Sequence, residues 1–330
     1  NLRVGQLTGS TGTYNLSGGD VNVTVQTVVG GKLGSATGTF NMTGGTLTTT
    51  GETVVGYYGT GTFTQSAGIH NTGSMVIGQE IGSTGTYNYS GGALTAGSIV
   101  NKGAFNQSGA TTVTANVTNN GAYHISGAGI NTVLGSFTNN GTLKTTGTTA
   151  VFTGTFTNNG AYTSDPAAQY FTDLIIGPTG YLVGGSGDEF NVSGNLLNYS
   201  DTLSWNTTLA DLIFTGTGTH IVNLASFAAG NTWGTLDFTG GILNLTGGSE
   251  LRVANLLGNM NNIHNIGENP ITIYYGGGEI TIPSIPEPST LLLLGSGLLA
   301  GVLRRKFQNS PAPPGAASVY MDRAYGKAFF

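Results

Sequence analysis

Short runs in which apolar and polar residues alternate recur along residues 1–200, and glycines separate them. The run Gly38-Thr-Phe-Asn-Met-Thr is one example. Such alternation predicts β-strands with one buried face, and the glycines allow the turns between strands. A motif of Gly, then Thr or Ala, then Tyr or Phe opens these runs, with looser copies at the end: Gly12, Gly38, Gly61, Gly85, Gly103, Gly121, Gly141 and Gly160. Its steps of 18 to 26 residues indicate a solenoid.

A second repeated motif indicates how the units stack. Val117-Thr-Asn-Asn-Gly, Phe137-Thr-Asn-Asn-Gly and Phe156-Thr-Asn-Asn-Gly follow one another at steps of 20 and 19 residues. Each unit holds two or three strand-like runs, and no Leu-x-x-Leu-x-Leu frame of a leucine-rich repeat is present. We therefore predict an all-β protein, a right-handed parallel β-helix with coils of about 20 residues.

Equivalent positions of such a helix lie one above another, about 4.8 Å apart. This spacing predicts a column of aromatic side chains inside the helix: Tyr14, Phe40, Phe63, Tyr87, Phe105 and Tyr123. It also predicts a ladder of amides in which each side chain hydrogen-bonds to the next. The ladder would contain Asn119-Asn120, Asn139-Asn140 and Asn158-Asn159.

Four segments follow from the repeats and from where they weaken. Residues 1–200 form the repeat region. Residues 201–282 are a divergent end of the helix or a cap, which the open edge of a last coil requires. Residues 283–306 form a linker, a short hydrophobic helix and a basic stop, and residues 307–330 form a tail that we expect to be disordered.

Composition narrows the possible functions. Glycine accounts for 57 of 330 residues and charged residues for 8%, which favours β-structure with many turns over intrinsic disorder. Because cysteine is absent, disulfides and thiolate metal sites are excluded. Residues 1–285 carry five cations and 13 carboxylates, so we expect no nucleic acid partner. The chain starts at Asn1 without an apolar leader, from which we expect a mature or truncated form.

Candidate catalytic and metal-binding residues are few. Residues 184–188 approach the calcium-binding pattern Gly-Gly-x-Gly-x-Asp, but the aspartate falls one position early and the unit occurs once. Asp188 and Glu189 point to opposite faces of a strand, so we expect a solvated turn there. The histidines form no His-x-x-x-His pair, and we expect them to be solvated or in turns: His70, His124, His220 and His264. We predict no catalytic residue, metal or cofactor.

Residues 286–306 combine three features in a fixed order. The polar tag consists of Pro286, Glu287 and Pro288. An apolar run over residues 291–303 follows, shorter than the ~20 residues of a stable membrane span, and predicts a transient helix. The basic stop consists of Arg304, Arg305 and Lys306, which favours the cytoplasmic side. An ordinary C-terminal anchor and a buried apolar helix are the alternatives.

Tag, apolar run and basic stop together resemble the PEP-CTERM sorting signal of Gram-negative, biofilm-forming bacteria. The resemblance implies that an exosortase-type membrane protease recognises the polar tag, cleaves nearby and passes the protein to the cell surface. It also implies a transient anchor in the inner membrane. Family members usually end just after the basic stop, whereas residues 307–330 follow here. Either this tail is a reading-frame artefact or the signal is processed differently.

The repeats over residues 1–200 resemble those of autotransporter-type adhesin passengers. The two resemblances together imply an exported, non-enzymatic adhesin or scaffold at the cell surface or in the extracellular matrix, with exopolysaccharide of a biofilm as a partner. Two alternatives remain open. One is a β-helical polysaccharide lyase or hydrolase, and the other is a structural coat component that assembles with itself.

Overall fold

Residues 1–31 and 35–284 are the part of the chain that the computed structural model describes. They wind into an all-β solenoid of about 12 turns. Strands of each turn pair in parallel with equivalent strands of the turns before and after it, in three columns. The predicted all-β solenoid is therefore confirmed, whereas the right-handed sense of its winding stays a prediction.

The first six turns hold ten strands, of which the two longest run through all three columns. The strands are β1 (Leu2–Val4), β2 (Thr11–Leu16), β3 (Asp20–Val23), β4 (Gln26–Val29), β5 (Thr37–Val55), β6 (Thr60–Ile77), β7 (Thr84–Tyr89), β8 (Ala93–Asn101), β9 (Ala104–Ser108) and β10 (Thr112–Asn119). We call the column of β2 the first, that of β3 the second and that of β4 the third. The bend after each third-column strand is called the third corner.

Shorter strands continue the same three columns. They are β11 (Ala122–Ser126), β12 (Ile130–Leu134), β13 (Phe137–Asn139), β14 (Thr142–Thr146), β15 (Thr149–Phe152), β16 (Phe156–Asn158), β17 (Ala161–Ser164), β18 (Ala168–Phe171), β19 (Leu174–Ile176), β20 (Tyr181–Val183), β21 (Glu189–Val192) and β22 (Leu196–Asn198). Inward-facing residues alternate with outward-facing ones along them, which is why the apolar–polar alternation of the sequence was informative.

The predicted aromatic column lies in the core of the first column. Backbone pairing sets its six residues in register, from Tyr14 to Tyr123. Consecutive rings stack with centroids 4.5 to 5.2 Å apart and planes within 21° of parallel. Stacked aromatic pairs contribute about 0.5–1.5 kcal/mol each beyond the burial of their area. The column therefore ties successive turns together as well as filling the core.

Two tyrosines of this column bring a hydroxyl into the core and find a partner in the turn before. Tyr87 donates to Gln65 Oε1 over 2.7 Å, and Tyr123 donates to Gln107 Oε1 over 2.8 Å. In each case the glutamine stands two positions beyond the preceding aromatic residue. A buried hydroxyl without a partner would cost about 1–3 kcal/mol. These glutamines therefore let tyrosine replace phenylalanine in the column.

The C-terminal turns are irregular but keep the parallel pairing. Their elements are β23 (Asp211–Phe214), β24 (Thr219–Leu224), β25 (Thr232–Asp237), β26 (Ile242–Gly247), β27 (Glu250–Leu257), β28 (Ile263–Asn265), β29 (Ile271–Tyr275) and β30 (Gly278–Ile282), with 3-10 helices at Ala228–Asn231 and Met260–Asn262. Trp205 and Trp233 meet edge to face in the core. The last strand, β30, pairs antiparallel with β29 and thereby occupies an edge that a further parallel strand would use.

The predicted C-terminal hydrophobic helix and the predicted disordered tail lie outside the described residues. Within residues 1–31 and 35–284, the only helices are short 3-10 turns. None of them has the length and hydropathy needed to cross a membrane.

Candidate functional site

The residues that the sequence singles out for sorting lie outside the part of the chain that the structure describes. They are Pro286, Glu287, Pro288, Arg304, Arg305 and Lys306. The described chain ends with Pro283 and Ser284, directly after β30. The candidate sites that the structure describes are therefore surfaces of the solenoid.

Outward-facing positions of the first column form rows of neutral polar side chains. One row is threonine in four successive turns: Thr13, Thr39, Thr62 and Thr86. The next row contains asparagines, and Asn41 donates to Asn15 Oδ1 over 2.8 Å. Asn106 donates to Asn88 over the same distance. Thr64 separates these two asparagine pairs, so the row is polar in every one of these turns but its Asn–Asn hydrogen bond recurs only twice.

A ladder of buried amides lines the third corner. Asn101, Asn119, Asn139 and Asn158 have no exposed surface, and Nδ2 of each of the first three donates to Oδ1 of the next over 2.7 Å. Each of the four also donates to a backbone carbonyl of the following turn, at 2.7 to 3.0 Å. The predicted ladder is confirmed, and it begins one turn earlier than predicted, at Asn101.

A second, outer ladder runs beside the first. Asn140 donates to Asn120 Oδ1 and Asn159 donates to Asn140 Oδ1, both over 2.9 Å. Asn120 and Asn140 are exposed and Asn159 is half-buried. In each Asn-Asn pair, the first asparagine therefore hydrogen-bonds within the core and the second hydrogen-bonds on the surface.

Beyond the amide ladders, the third corner opens into a groove of about 510 Å³. Residues from four successive solenoid turns line it. Tyr199 and Asp201 come from the segment after β22, and Asn269 comes from the segment after β28. Asn223, Ser226 and Ser249 lie between them. We call this the Tyr199 groove. Sequence reasoning missed it, although Tyr199 and Ser200 follow Asn198 where Asn159 and Gly160 follow the equivalent Asn158.

The expectation that the histidines are solvated or in turns is wrong for two of the four. His70 is fully buried, with Nδ1 2.8 Å from the Tyr87 hydroxyl and Nε2 3.2 Å from Thr53 Oγ1. Burial lowers the pKa of His70 from 6.5 to about 3, so it is neutral at physiological pH. His70 occupies an inward-facing position whose partners in adjacent turns are Leu47 and Leu94, and it is therefore part of the core.

His220 is the second buried histidine. Its Nδ1 lies 2.6 Å from the Gly194 carbonyl, whereas Nε2 has no hydrogen-bond partner among the described residues. His124 is half-buried, and the pKa of His124 is lowered, first by desolvation and second by Lys144. His264 is exposed. The four histidines therefore belong to separate environments.

The expected solvated turn at Asp188 is wrong. Asp188 is buried, and its Oδ1 accepts from Ala167 N over 2.9 Å and from the Ser164 hydroxyl. Its Oδ2 accepts from Gly185 N over 2.6 Å. These donors satisfy the carboxylate, so Asp188 fastens the bend of residues 185–188 to the preceding turn. Glu189 faces outward, as predicted for the opposite side of the strand.

Ionic interactions contribute little to these surfaces. Lys144 lies 3.1 Å from Asp165, and Arg252 lies 2.8 Å from Glu250. Exposed pairs of this kind contribute about 0–1 kcal/mol. In the described part of the chain, no three His, Asp or Glu side chains converge as metal ligands. These surfaces can therefore interact with a ligand mainly through hydrogen bonds from neutral side chains.

Comparison with known proteins assigns the C-terminal segment. No curated protein and no solved structure is significantly similar to the chain. The resemblance of the repeats to adhesin passengers accordingly stays a prediction. Residues 284–306, however, match the family model of the PEP-CTERM protein-sorting motif. The chain therefore carries a PEP-CTERM signal, which implies an exported protein that an exosortase sorts to the cell surface through a transient membrane anchor.

Proposed function

We propose that the protein acts at the cell surface as a non-enzymatic adhesin or scaffold within the exopolysaccharide of a biofilm. Two observations support this. The PEP-CTERM motif implies delivery to the surface, and the solenoid is the part of the chain that would be displayed there. The proposed processing uses Pro286, Glu287 and Pro288 as the tag that exosortase recognises.

The observation that carries the proposal is the regular repetition of neutral polar groups on the solenoid. The threonine rows of the first column and the outer amide ladder Asn120–Asn140–Asn159 place the same donors and acceptors at strand spacing, about 4.8 Å. A polysaccharide also repeats its hydroxyls along its length. Many weak hydrogen bonds between two repeating partners add up through effective concentration, without any deep pocket.

Sedimentation with exopolysaccharide isolated from the producing biofilm tests this proposal. The full chain should pellet with the polysaccharide, and binding should weaken steeply for short fragments because fewer contacts form simultaneously. A protein that stays in the supernatant at all polysaccharide concentrations would contradict an adhesive role. Self-assembly of the protein alone, seen as a growing sedimentation coefficient, would favour a coat component instead.

Polysaccharide cleavage is a second candidate, favoured by one observation. Glu189 and Asp211 are direct register partners on the outward face of the second column, and both are half-buried. Two neighbouring carboxylates are the groups that glycoside hydrolysis uses as acid and base or nucleophile. Release of reducing ends that disappears in Glu189→Gln would establish this candidate. Unchanged polysaccharide after prolonged incubation with the full chain would leave the non-enzymatic proposal.

A further inference from the structure

The Tyr199 groove differs from the rest of the polar surface in having a built floor. Asn198 Nδ2 donates to the Gly230 carbonyl over 2.8 Å, and Ser200 Oγ donates to the Gly180 carbonyl over 2.6 Å. Asn223 Nδ2 donates to the Asn198 carbonyl over 2.7 Å. These side chains are therefore held in place by the turns around them. A floor fixed before binding loses little conformational entropy when a ligand arrives.

Two glycines allow the backbone of successive turns to pack closely at this floor. Gly247 has a φ of +79°, and a Cβ there would lie 2.5 Å from the Leu224 carbonyl oxygen. A Cβ on Gly248 would lie 2.2 Å from the Ala225 carbonyl oxygen. The turn after β26 therefore lies directly on the turn after β24, with no side chain between them. The groove can run along the solenoid axis over these turns.

The rim of the groove, by contrast, carries polar groups that are free to bind. Among the described residues, five rim side chains make no hydrogen bond: Tyr199, Asp201, Ser226, Ser249 and Asn269. They offer hydroxyl, amide and carboxylate groups, so the rim both donates and accepts. Tyr199 is 51% exposed, which leaves much of its ring open to a ligand. An exposed tyrosine ring beside free polar groups suits a ligand with both apolar and hydroxyl-bearing faces.

The charge of the groove selects among such ligands. Its lining includes one carboxylate, Asp201, and no cationic side chain. A carboxylate accepts hydrogen bonds from hydroxyls but repels another anion. Uronic acids and phosphorylated sugars are therefore disfavoured. The volume of about 510 Å³ falls in the range of small-ligand sites, roughly 300–1,000 Å³.

We propose that the Tyr199 groove binds a short stretch of a neutral saccharide, with a sugar ring against Tyr199 and its hydroxyls paired with Asp201 and the other rim groups. This rests on the proposed binding of exopolysaccharide and adds one discrete site to it. The rows of threonine and asparagine bind weakly over the N-terminal and middle turns of the solenoid. The groove fixes the position of the polysaccharide at one end.

Calorimetric titration of the full chain with neutral oligosaccharides and with an oligogalacturonate of equal length tests the proposal. We expect a neutral oligosaccharide to bind and the oligogalacturonate to bind at least about tenfold more weakly. Tyr199→Ala should weaken neutral-sugar binding by about tenfold or more, as loss of a central aromatic contact does. Asp201→Asn should weaken it less and should narrow the discrimination against the anionic sugar.

Two matched variants serve as controls. Tyr170→Ala removes another exposed tyrosine, 40% exposed, which lines a separate groove of about 210 Å³. Asp20→Asn removes an exposed carboxylate in the N-terminal turns. Both should leave the affinity within about twofold of the original chain, and circular dichroism should show all four variants folded.

The outcomes separate the groove from the general proposal. If none of the neutral oligosaccharides binds, or if Tyr199→Ala binds them as tightly as the original chain, the groove proposal is overturned. Sedimentation with the intact exopolysaccharide then decides whether the repeated surface still binds by itself. Loss of oligosaccharide binding in Tyr170→Ala but not in Tyr199→Ala would likewise overturn the proposal, because it would move the site elsewhere.

Discussion

The imidazole of His70 stacks on the ring of Phe63, with centroids 4.9 Å apart and planes 5° from parallel. Both side chains are fully buried, and they come from the second and first columns of one turn. The stack therefore joins two walls of the solenoid across its core. Because the Tyr87 hydroxyl donates its proton to Gln65, Nδ1 of His70 is the donor towards Tyr87. Burial of the ring, and not this hydrogen bond, keeps the imidazole neutral at physiological pH.

Stability should therefore fall on acidification in a window set by His70. The unfolded chain takes up a proton near pH 6.5, whereas the folded chain keeps His70 neutral down to a pKa of about 3. Above pH 6.5 this titration leaves the free energy of unfolding unchanged. Between pH 6.5 and pH 3 protonation of the unfolded chain lowers that free energy progressively, by roughly 4–5 kcal/mol in total. Urea titrations at a series of pH values would measure it.

His70→Phe should flatten this pH dependence, because the ring stacking remains and the titration disappears. Between pH 7 and pH 4, the loss of unfolding free energy should be smaller than in the original chain by about 3 kcal/mol. Leu94→Met, at the register partner of His70 in the next turn, removes no titratable group and should leave the slope unchanged. A slope that is the same in His70→Phe and the original chain would mean that other groups dominate the acid response.

The inner amide ladder should be far more sensitive to substitution than the outer one. Asn139→Ala removes a donor and an acceptor from a fully buried chain of amides and leaves Asn119 and Asn158 with unpaired groups. We expect a loss of about 2–4 kcal/mol of unfolding free energy. Asn140→Ala, one residue further on, is exposed and should cost less than about 0.5 kcal/mol. Equal effects of the two substitutions in chemical denaturation would contradict the ladder as described.

The features that the sequence predicted well are those in which identical residue types recur in register. Asn119, Asn139 and Asn158 share one motif, so their stacking could be inferred from spacing alone. Asn101 was missed because Lys102 follows it and breaks the Asn-Asn pair. A solenoid makes such inference possible, because each turn contacts mainly its neighbours.

The features that were wrong or missed depend on contacts between unlike residues. His70 is a lone histidine in a row of leucines, and nothing in its own turn distinguishes a buried from a solvated position. Asp188 is buried because Ser164 and the Ala167 amide reach it from the preceding turn. The Tyr199 groove arises where turn lengths become irregular and the repeat no longer fixes the register. In each case three-dimensional position, and not residue type, decides the outcome.

Two glycines with similar backbone conformation should respond differently to alanine. Gly56 has a φ of +75°, and a Cβ there would lie 2.4 Å from the Thr84 carbonyl oxygen. Gly82 has a φ of +83° with no atom within 4 Å of a Cβ. Gly82→Ala should therefore cost only the backbone strain, about 1–2 kcal/mol. Gly56→Ala adds a backbone clash and should cost at least about 2 kcal/mol more. Thermal unfolding of the two variants, side by side, separates these contributions.

Processing of the sorting signal should depend on the polar tag. Since exosortase is proposed to recognise Pro286, Glu287 and Pro288, Glu287→Ala should leave the chain uncleaved and held in the membrane fraction by its apolar run. Glu279→Ala removes an exposed carboxylate a few residues earlier, in β30, and should be processed normally. Mass spectrometry of the C-terminus of protein recovered from the producing cells would measure both. An original chain ending near residues 286–289 beside a Glu287→Ala variant ending at Phe330 is the expected result. A surface-exposed original chain that still ends at Phe330 would instead make the apolar segment a lasting anchor.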